Sequence, residues 1–408
     1  MAITDKEQGV WELDEVYNKI NQGDIWEYTE NYDMWAWGHN EYRLGGAGSP
    51  QNQDKSSPTQ IGAAISTGWD LSKTHSNGDV SQRQMAVIEN GNLWVWGYNI
   101  GGPLGLNNQT SYNSPIQVGT DSTWAAVATG GTTMIATKTD GTLWGWGTQG
   151  FGALGLNSRT PYSSPVQLMS DKTWPTSSDA LTVGGSDTGK ESRMFAIASD
   201  GTIWACGQNS HGSLGTNVGG TSNHKSSPVQ IPGSWKMTTS ADRFGAGIKT
   251  DGTLWSWGYS YSGSIGVPGF ARSSPVQLNG TNWATISSNW KCSLGTQTNG
   301  TLWSWGEGGY GTMGDNSKGD NLSPTQIGTN TNWSYTARPQ NTYLSAAALK
   351  TDGTLWAWGS NRYGQMGNNE GTGDNSTGGL SSPLQIPGTQ WSQIKSAGRK
   401  SFIATSIQ

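Results

Sequence analysis

At 408 residues, with 33% hydrophobic and 13% charged residues, the chain has neither an ordinary aliphatic core nor the charge of a disordered tail. Its 60 Gly and 23 Trp point instead to aromatic residues buried on a glycine-rich β framework. A net charge of −5 and a pI near 5.4 argue against nucleic acid as a partner, because that affinity is built on clustered Lys and Arg.

The N-terminus, MAITDKEQGVWELDEV, has no basic start and no apolar core, so no secretory signal is expected. No run approaches the roughly 20 apolar residues that span a bilayer, so no membrane insertion is expected either. The first 28 residues read as an extension. Leu13, Val16, Tyr17 and Ile20 recur at i, i+3, i+4 and i+7, which predicts a short amphipathic helix stopped near Gly23. Trp11 and Trp26 flank it. The segment is expected either to cap the following domain or to dock on another protein.

From residue 29 to 408 the chain repeats. A Trp-x-Trp-Gly core begins at Trp35, Trp94, Trp144, Trp204, Trp255, Trp303 and Trp356, with Cys206 in place of the second Trp of the fourth copy. The mean period is about 53 residues, close to that of propeller blades of four strands each. A Ser-Pro-x-Gln segment follows each copy, as in SSPVQL ending at Leu168, and then a lone Trp at 69, 124, 174, 235, 283, 333 and 391. These motifs account for 20 of the 23 tryptophans, leaving Trp11, Trp26 and Trp290.

Within one unit, WAAVAT from Trp124 and MIATKT from Met134 read as strands, and TLWGWG from Thr142 as a third. Asp140-Gly141 predicts a two-residue type I′ hairpin, repeated at residues 90–91, 200–201, 251–252, 299–300 and 352–353. Alternation puts Trp144 and Trp146 on one face and Leu143 and Gly145 on the other, so that the indoles of one blade nest against the next. The Pro of each Ser-Pro-x-Gln segment lacks an N–H and suits an outer, edge strand. The chain starts its repeats on a third strand and ends them on a second, which predicts closure of seven blades by a two-plus-two seam.

Little in the sequence points to chemistry. His39, His75, His211 and His224 form no metal-ligand pair, and Cys206 and Cys292 form no C-x-x-C. The G-x-G-x-x-G at Gly150, Gly152 and Gly155 lacks the β-α-β setting of a dinucleotide site. DNSKGDN at 315–321 does not match a calcium loop, and the recurring Asp140, Asp200, Asp251 and Asp352 belong to turns. Unrepeated acids such as Asp187 and Glu191 are the one opening for catalysis. The expectation is no enzyme, no cofactor and no metal.

The D-G-x-L-W-x-W-G strands, followed by G-x-[LM]-G loops such as Gly152–Gly155, Gly212–Gly215 and Gly364–Gly367, resemble the regulator-of-chromosome-condensation type of seven-bladed propeller. That resemblance implies an all-β ring, with members that act as nucleotide-exchange factors, bacterial protein inhibitors or viral surface components. Family members often open the second strand with His. Here the slot holds Arg83, Thr133, Arg193, Phe244, Cys292, Ser345 and Ser401, which disfavours chromatin binding with exchange on a small GTPase.

Separately, GVWELDEVYNKINQGDIWEY is similar to short stretches in structural proteins of tailed bacteriophages.

Function is expected where the repeats disagree. Unequal spacings put the variable loops between strands one and two and between strands three and four, on one face. Arg83, Arg193, Arg243, Phe244, Trp290, Tyr343, Tyr261 and Phe270 are the candidate contacts there, since aromatics and Arg dominate binding surfaces. The expected function is a bacteriophage virion component contacting other virion proteins, or a host-surface protein or glycan, assembled in the host cytoplasm. The alternative is a soluble bacterial protein-binding or inhibitory propeller that does not depend on residues 1–28.

Overall fold

The computed structural model describes residues 32–40, 46, 53–62, 68–76, 84–185, 192–220, 223–337, 345–370, 379–388, 390–397 and 401–407. The N-terminal extension, with its expected helix, lies outside these residues. Among the described residues the chain is all-β apart from short 3-10 turns, and no helix is long and apolar enough to cross a membrane.

Seven sheets, antiparallel but for one added segment, form seven blades, numbered here by their Trp-x-Trp copies. Blade 3 shows the plan. Its inner strand, Trp124–Gly130, pairs with a second, Thr133–Lys138, which pairs with the third, Leu143–Gly147, and then with the outer strand, Tyr162–Leu168. The register between third and outer strands shifts between Tyr162 and Val166, so Pro165 sits in a bulge where its missing N–H costs no ladder bond.

The seam in blade 1 is two-plus-two, as the chain ends predict. Tyr32–Gly38 pairs with Ser401–Ile407 from Tyr32↔Ile407 to Gly38↔Ser401. Lys55–Ile61 lies outside and Trp391–Ser396 inside. This joins the two chain ends in one four-stranded blade.

Indoles form the core between blades. Trp124 and Trp146 of blade 3, with Trp144 at their margin, pack on Leu93, Val95, Leu104 and Val118 of blade 2. Each buried indole removes roughly 200 Å² from water, about 5 kcal/mol of hydrophobic stabilisation. Trp124 meets Trp144 and Trp146 nearly edge-on, at centroid distances of 6.4 and 6.0 Å. Lys138 lies over Trp144 at 4.1 Å, and Lys249 and Lys350 repeat the contact over Trp255 and Trp356.

Three expectations are corrected. First, only Asn90-Gly91 is a two-residue hairpin, with both residues at positive φ and Glu89 paired to Asn92. At Asp140-Gly141 the loop has three residues: Gly141 N bonds Lys138 O, Lys138 N bonds Thr142 O, and only Gly141 has positive φ. This is a type I turn with a glycine bulge, selected because Asp140 Oδ1 accepts from both N and Oγ1 of Thr142. Second, the inner segment of blade 2, Thr74–Ser76, pairs in parallel with the inner strand of blade 3 and meets its own blade where Thr74 Oγ1 donates to Ala86 O at 3.1 Å, just after an Asp70↔Ile88 bridge. Third, part of the extra length in blades 2 and 4 lies at the opposite end from the variable loops. There the 3-10 turns Leu71–Lys73 and Ser178–Ala180 separate Trp69 and Trp174 from the inner segments.

Candidate binding face

The loops between third and outer strands do more than connect. Each G-x-[LM]-G-x-Asn loop reaches across and fastens the next blade. Asn107, Asn157, Asn217, Asn316 and Asn369, all at positive φ, donate from N to the carbonyls of Ser163, Ser226, Ser273, Ser381 and Ser56 on the neighbouring outer strand at 2.7–2.9 Å. The second Trp of the next blade replies. Nε1 of Trp146, Trp257, Trp358 and Trp37 donates to the carbonyls of Pro103, Ser213, Thr312 and Gln365 at 2.9–3.0 Å. Glycine is required at the centre of the loop: a Cβ on Gly311, at φ 78°, would stand 2.5 Å from the Ser381 backbone. At blade 4 Cys206 substitutes for the indole, and its thiol donates to Ala153 O at 3.0 Å.

One described boundary departs from this pattern, that between blades 5 and 6. The loop there is YSGSIGVPGF from Tyr261. Pro268 stands where five other loops have Asn, so the donor to the outer strand is gone. Leu322 replaces the neighbouring Ser, and Trp305 Nε1 is buried without a hydrogen-bond partner. At the same boundary apolar side chains stand in solvent, with Phe270 82%, Leu322 57% and Tyr261 48% exposed.

Charged groups frame the patch. The Lys291 ammonium lies 4.5 Å from the ring centroids of both Tyr261 and Trp290 and is ion-paired with Glu307 Oε2 at 2.5 Å. Arg243, half exposed, pairs through Nε with the buried Asp242 at 3.2 Å. His211 packs on Tyr259 with centroids 4.9 Å apart. Burial, and secondarily the charge of Arg243, lowers its pKa and favours the neutral imidazole. Aromatic faces with a fixed cation make a surface suited to protein recognition.

The structure divides the predicted contacts. Tyr261, Trp290 and Phe270 come together at this boundary, whereas Arg243 lies in the turn between the first two strands of blade 5, toward His211 of blade 4. Arg83 and Tyr343 lie outside the described residues, as do Trp11, Leu13, Val16, Tyr17, Ile20 and Trp26 of the extension. Arg193 and Phe244 are not surface residues. Both are buried, as are Thr133, Cys292, Ser345 and Ser401 in the same repeat slot. Arg193 instead joins blades 4 and 5: its guanidinium donates to Ser240 Oγ at 3.1 Å, to Ala241 O at 2.5 Å and to Asp242 O, and within its own blade to Gln208 and Ser213.

Lys291, Glu307 and Leu322 were not legible as candidate site residues, because what places them there, Lys291 over Tyr261 and Leu322 beside Gly263, crosses from blade 6 to blade 5.

Elsewhere the polar groups are structural. Asp315 caps its own loop, accepting from Ser317 N and Asn321 Nδ2. No group of three or more His, Cys, Asp or Glu side chains that could hold a metal ion occurs among the described residues. Asp140, Asp200, Asp251 and Asp352 have lowered pKa values because the following Thr hydroxyl and amide bond each carboxylate.

Residues 90–136 and 200–241 match the model of the regulator of chromosome condensation (RCC1) repeat, and residues 343–365 match a second model of that repeat. Among curated relatives, the ultraviolet-B receptor UVR8 of Arabidopsis thaliana is 24% identical over 185 residues, covering 43% of this chain and 41% of the receptor. The chain thus matches about two fifths of that relative's length. Among solved structures, Prp20p of Saccharomyces cerevisiae, described together with its binding to Gsp1p and histones, superposes with a TM-score of 0.75. Its identity is 16%, over 98% of this chain and 95% of Prp20p. Human WBSCR16 superposes with a TM-score of 0.73 at 16% identity, over 92% and 99%. This chain is a seven-bladed β-propeller in which three segments match models of the RCC1 repeat.

Proposed function

We propose that this chain is a non-enzymatic binding protein that presents the loop face at the boundary of blades 5 and 6 to a protein partner. One observation carries the reading: the described boundary that loses its fastening hydrogen bonds is also where Tyr261, Phe270 and Leu322 stand exposed. Sequence there gives up contacts that the other described boundaries keep, and a partner that covers the patch restores the burial. The RCC1-type relatives support a binding role, since Prp20p is described with Gsp1p and histones and, in a second structure, with Kap60.

At finer grain the reading is a bacteriophage virion component, held by residues 1–28 and contacting other virion proteins, or a host-surface protein or glycan. Its support is the sequence of that segment. Residues 1–28 hold seven acidic and two basic residues, so the whole net charge of −5 resides there and residues 29–408 are balanced. An acidic, tryptophan-bearing extension on a neutral ring suits docking on a basic neighbour.

Mass spectrometry of purified phage particles tests the virion assignment, which requires this polypeptide at stoichiometric level; particles that lack it overturn the assignment. For the binding face, Tyr261→Ala with Phe270→Ser should weaken capture of the partner at least tenfold with an unchanged melting temperature. Undiminished capture would sink the face assignment.

A further inference from the structure

Five blades pair the lone Trp of the inner strand with a residue near the end of the second strand, and that residue decides what lies over the indoles. In blades 3, 5 and 7 it is Lys138, Lys249 and Lys350, opposite Trp124, Trp235 and Trp333. Each ammonium lies over that indole and over the first Trp of the third strand, 3.8–5.2 Å from the ring centroids. Blade 6 has Gln297 opposite Trp283. In blade 1, the seam, the position falls to Ser406, opposite Trp391. Its hydroxyl accepts from Trp35 Nε1 at 2.9 Å, but a Ser side chain is too short to cover a ring.

A groove of about 430 Å³ lies there, lined by Trp35, Trp391, Pro58, Pro387, Gln390 and Ser406. No charged residue is among its described lining residues. Trp391 is 7% exposed, and its Nε1 donates to the Pro387 carbonyl at 3.2 Å. The open aromatic wall is therefore Trp35, which is half-buried and has no cation of the described residues over its ring.

The chain enters the ring beside this groove. Tyr32 is the first described residue, and Trp35 lies three residues further along the same strand, about 10 Å away. The nearest preceding Trp is Trp26, in the segment DIWEYTENY that ends at Tyr32. The chain between Trp26 and Tyr32 spans up to about 20 Å when extended, enough to turn back along the strand to Trp35.

We propose that Trp26 of the chain's own extension seats in the seam groove, its indole against Trp35, where other blades place an ammonium. Pro58 and Pro387 supply apolar walls for the ring, and the Gln390 amide supplies an acceptor for its N–H. The tether selects the occupant: a segment joined by a short linker is held at an effective concentration on the order of millimolar. Trp26 then fixes the near end of the extension to the ring and leaves residues 1–23, with Trp11 and the stretch from Leu13 to Ile20, for contact with a neighbour. The inference stands apart from the loop-face reading, because the groove belongs to blade 1 and shares no residue with the boundary of blades 5 and 6.

Fluorine NMR of the full chain grown with 5-fluorotryptophan tests this, with the Trp26 signal assigned by its loss in Trp26→Phe. A soluble gadolinium chelate should broaden that signal at least fivefold less than it broadens free 5-fluorotryptophan. A nitroxide on Gln390→Cys, an exposed position in the groove, should broaden it strongly; Cys206 and Cys292 are buried and take no label. Ser406→Lys supplies the ammonium found in blades 3, 5 and 7 and should expel Trp26, so that the chelate broadens its signal as it does the free amino acid. If Ser406→Lys fails to fold, the nitroxide contact decides the matter. Broadening of Trp26 by the chelate equal to that of the free amino acid, no effect of the nitroxide, or a Trp26 signal still protected in folded Ser406→Lys would each overturn the proposal. A nitroxide effect that appears only between differently labelled chains in a mixture would seat a second copy's extension in the groove and overturn the assignment to the chain's own.

Discussion

Replacing Arg193 with Met removes the guanidinium that joins blades 4 and 5 while keeping most of the side chain's volume. The hydroxyls of Ser240 and Ser213 and the amide of Gln208 can turn toward other partners. The carbonyls of Ala241 and Asp242 are fixed in the backbone and lose a charged donor. Each buried carbonyl left unsatisfied costs about 1–3 kcal/mol. Release from the desolvation of a buried cation offsets part of this, which leaves a net loss of about 2–4 kcal/mol. For a chain of this length each kcal/mol corresponds to a little over one degree, so the melting temperature should fall by about 2–5 °C.

Urea unfolding followed by tryptophan fluorescence measures the loss. Hydrogen exchange should locate it in the inner strands Leu181–Gly185 and Trp235–Ser240. Stability within about 0.5 kcal/mol of the parent would refute the account of Arg193 as a tie between blades. Loss of partner binding at unchanged stability would restore it as a surface contact.

Two further perturbations follow from the turns and the loops. Asp121 is held down to about 2, mainly by its hydrogen bond to the Lys138 ammonium and then by Thr123. A carboxylate depressed on folding stabilises the protein above its unfolded pKa, near 4, and that contribution is lost as pH falls through 2. Asp121→Asn should therefore lower the urea midpoint at pH 6 and shrink its drop between pH 4 and pH 2; an unchanged pH profile would contradict the pairing. Gly311→Ala places a methyl group against the Ser381 backbone at positive φ and should cost more than 1 kcal/mol, whereas a neutral result would show that the loop fastening bears little of the stability.

The fold was legible because repetition carries it. A period of about 53 residues, the displaced chain ends and the Pro of each outer strand fix blade number, seam and strand order without any long-range information. The turn type at Asp140 was not, because Asp-Gly serves both two-residue and three-residue loops. Choosing between them depends on the Thr142 hydroxyl, which only the structure pairs with the carboxylate. The site was half legible. Trp290, Tyr261 and Phe270 stood out as aromatics with no place in the repeat, and they are where the loop fastening fails.

Arg193 and Phe244 stood out for a different reason, as unusual residues in a slot that every repeat possesses. A slot filled in each blade is a packing position whatever occupies it, and the structure buries both. The informative signal was a missing one, Pro268 where five other loops have Asn. Its meaning depends on knowing that those Asn residues bond the next blade.

The central claim is that the boundary of blades 5 and 6 meets the partner, and site-specific photo-crosslinking tests it most directly. A benzophenone side chain at Phe270 probes the loop face, and one at Asp251, in a tight turn at the opposite end of blade 5, serves as the comparison. In a lysate or particle preparation that contains the partner, the probe at Phe270 should capture one discrete protein and the probe at Asp251 none. Capture from Asp251 with none from Phe270 would contradict the assignment and move the binding surface to the other face of the ring.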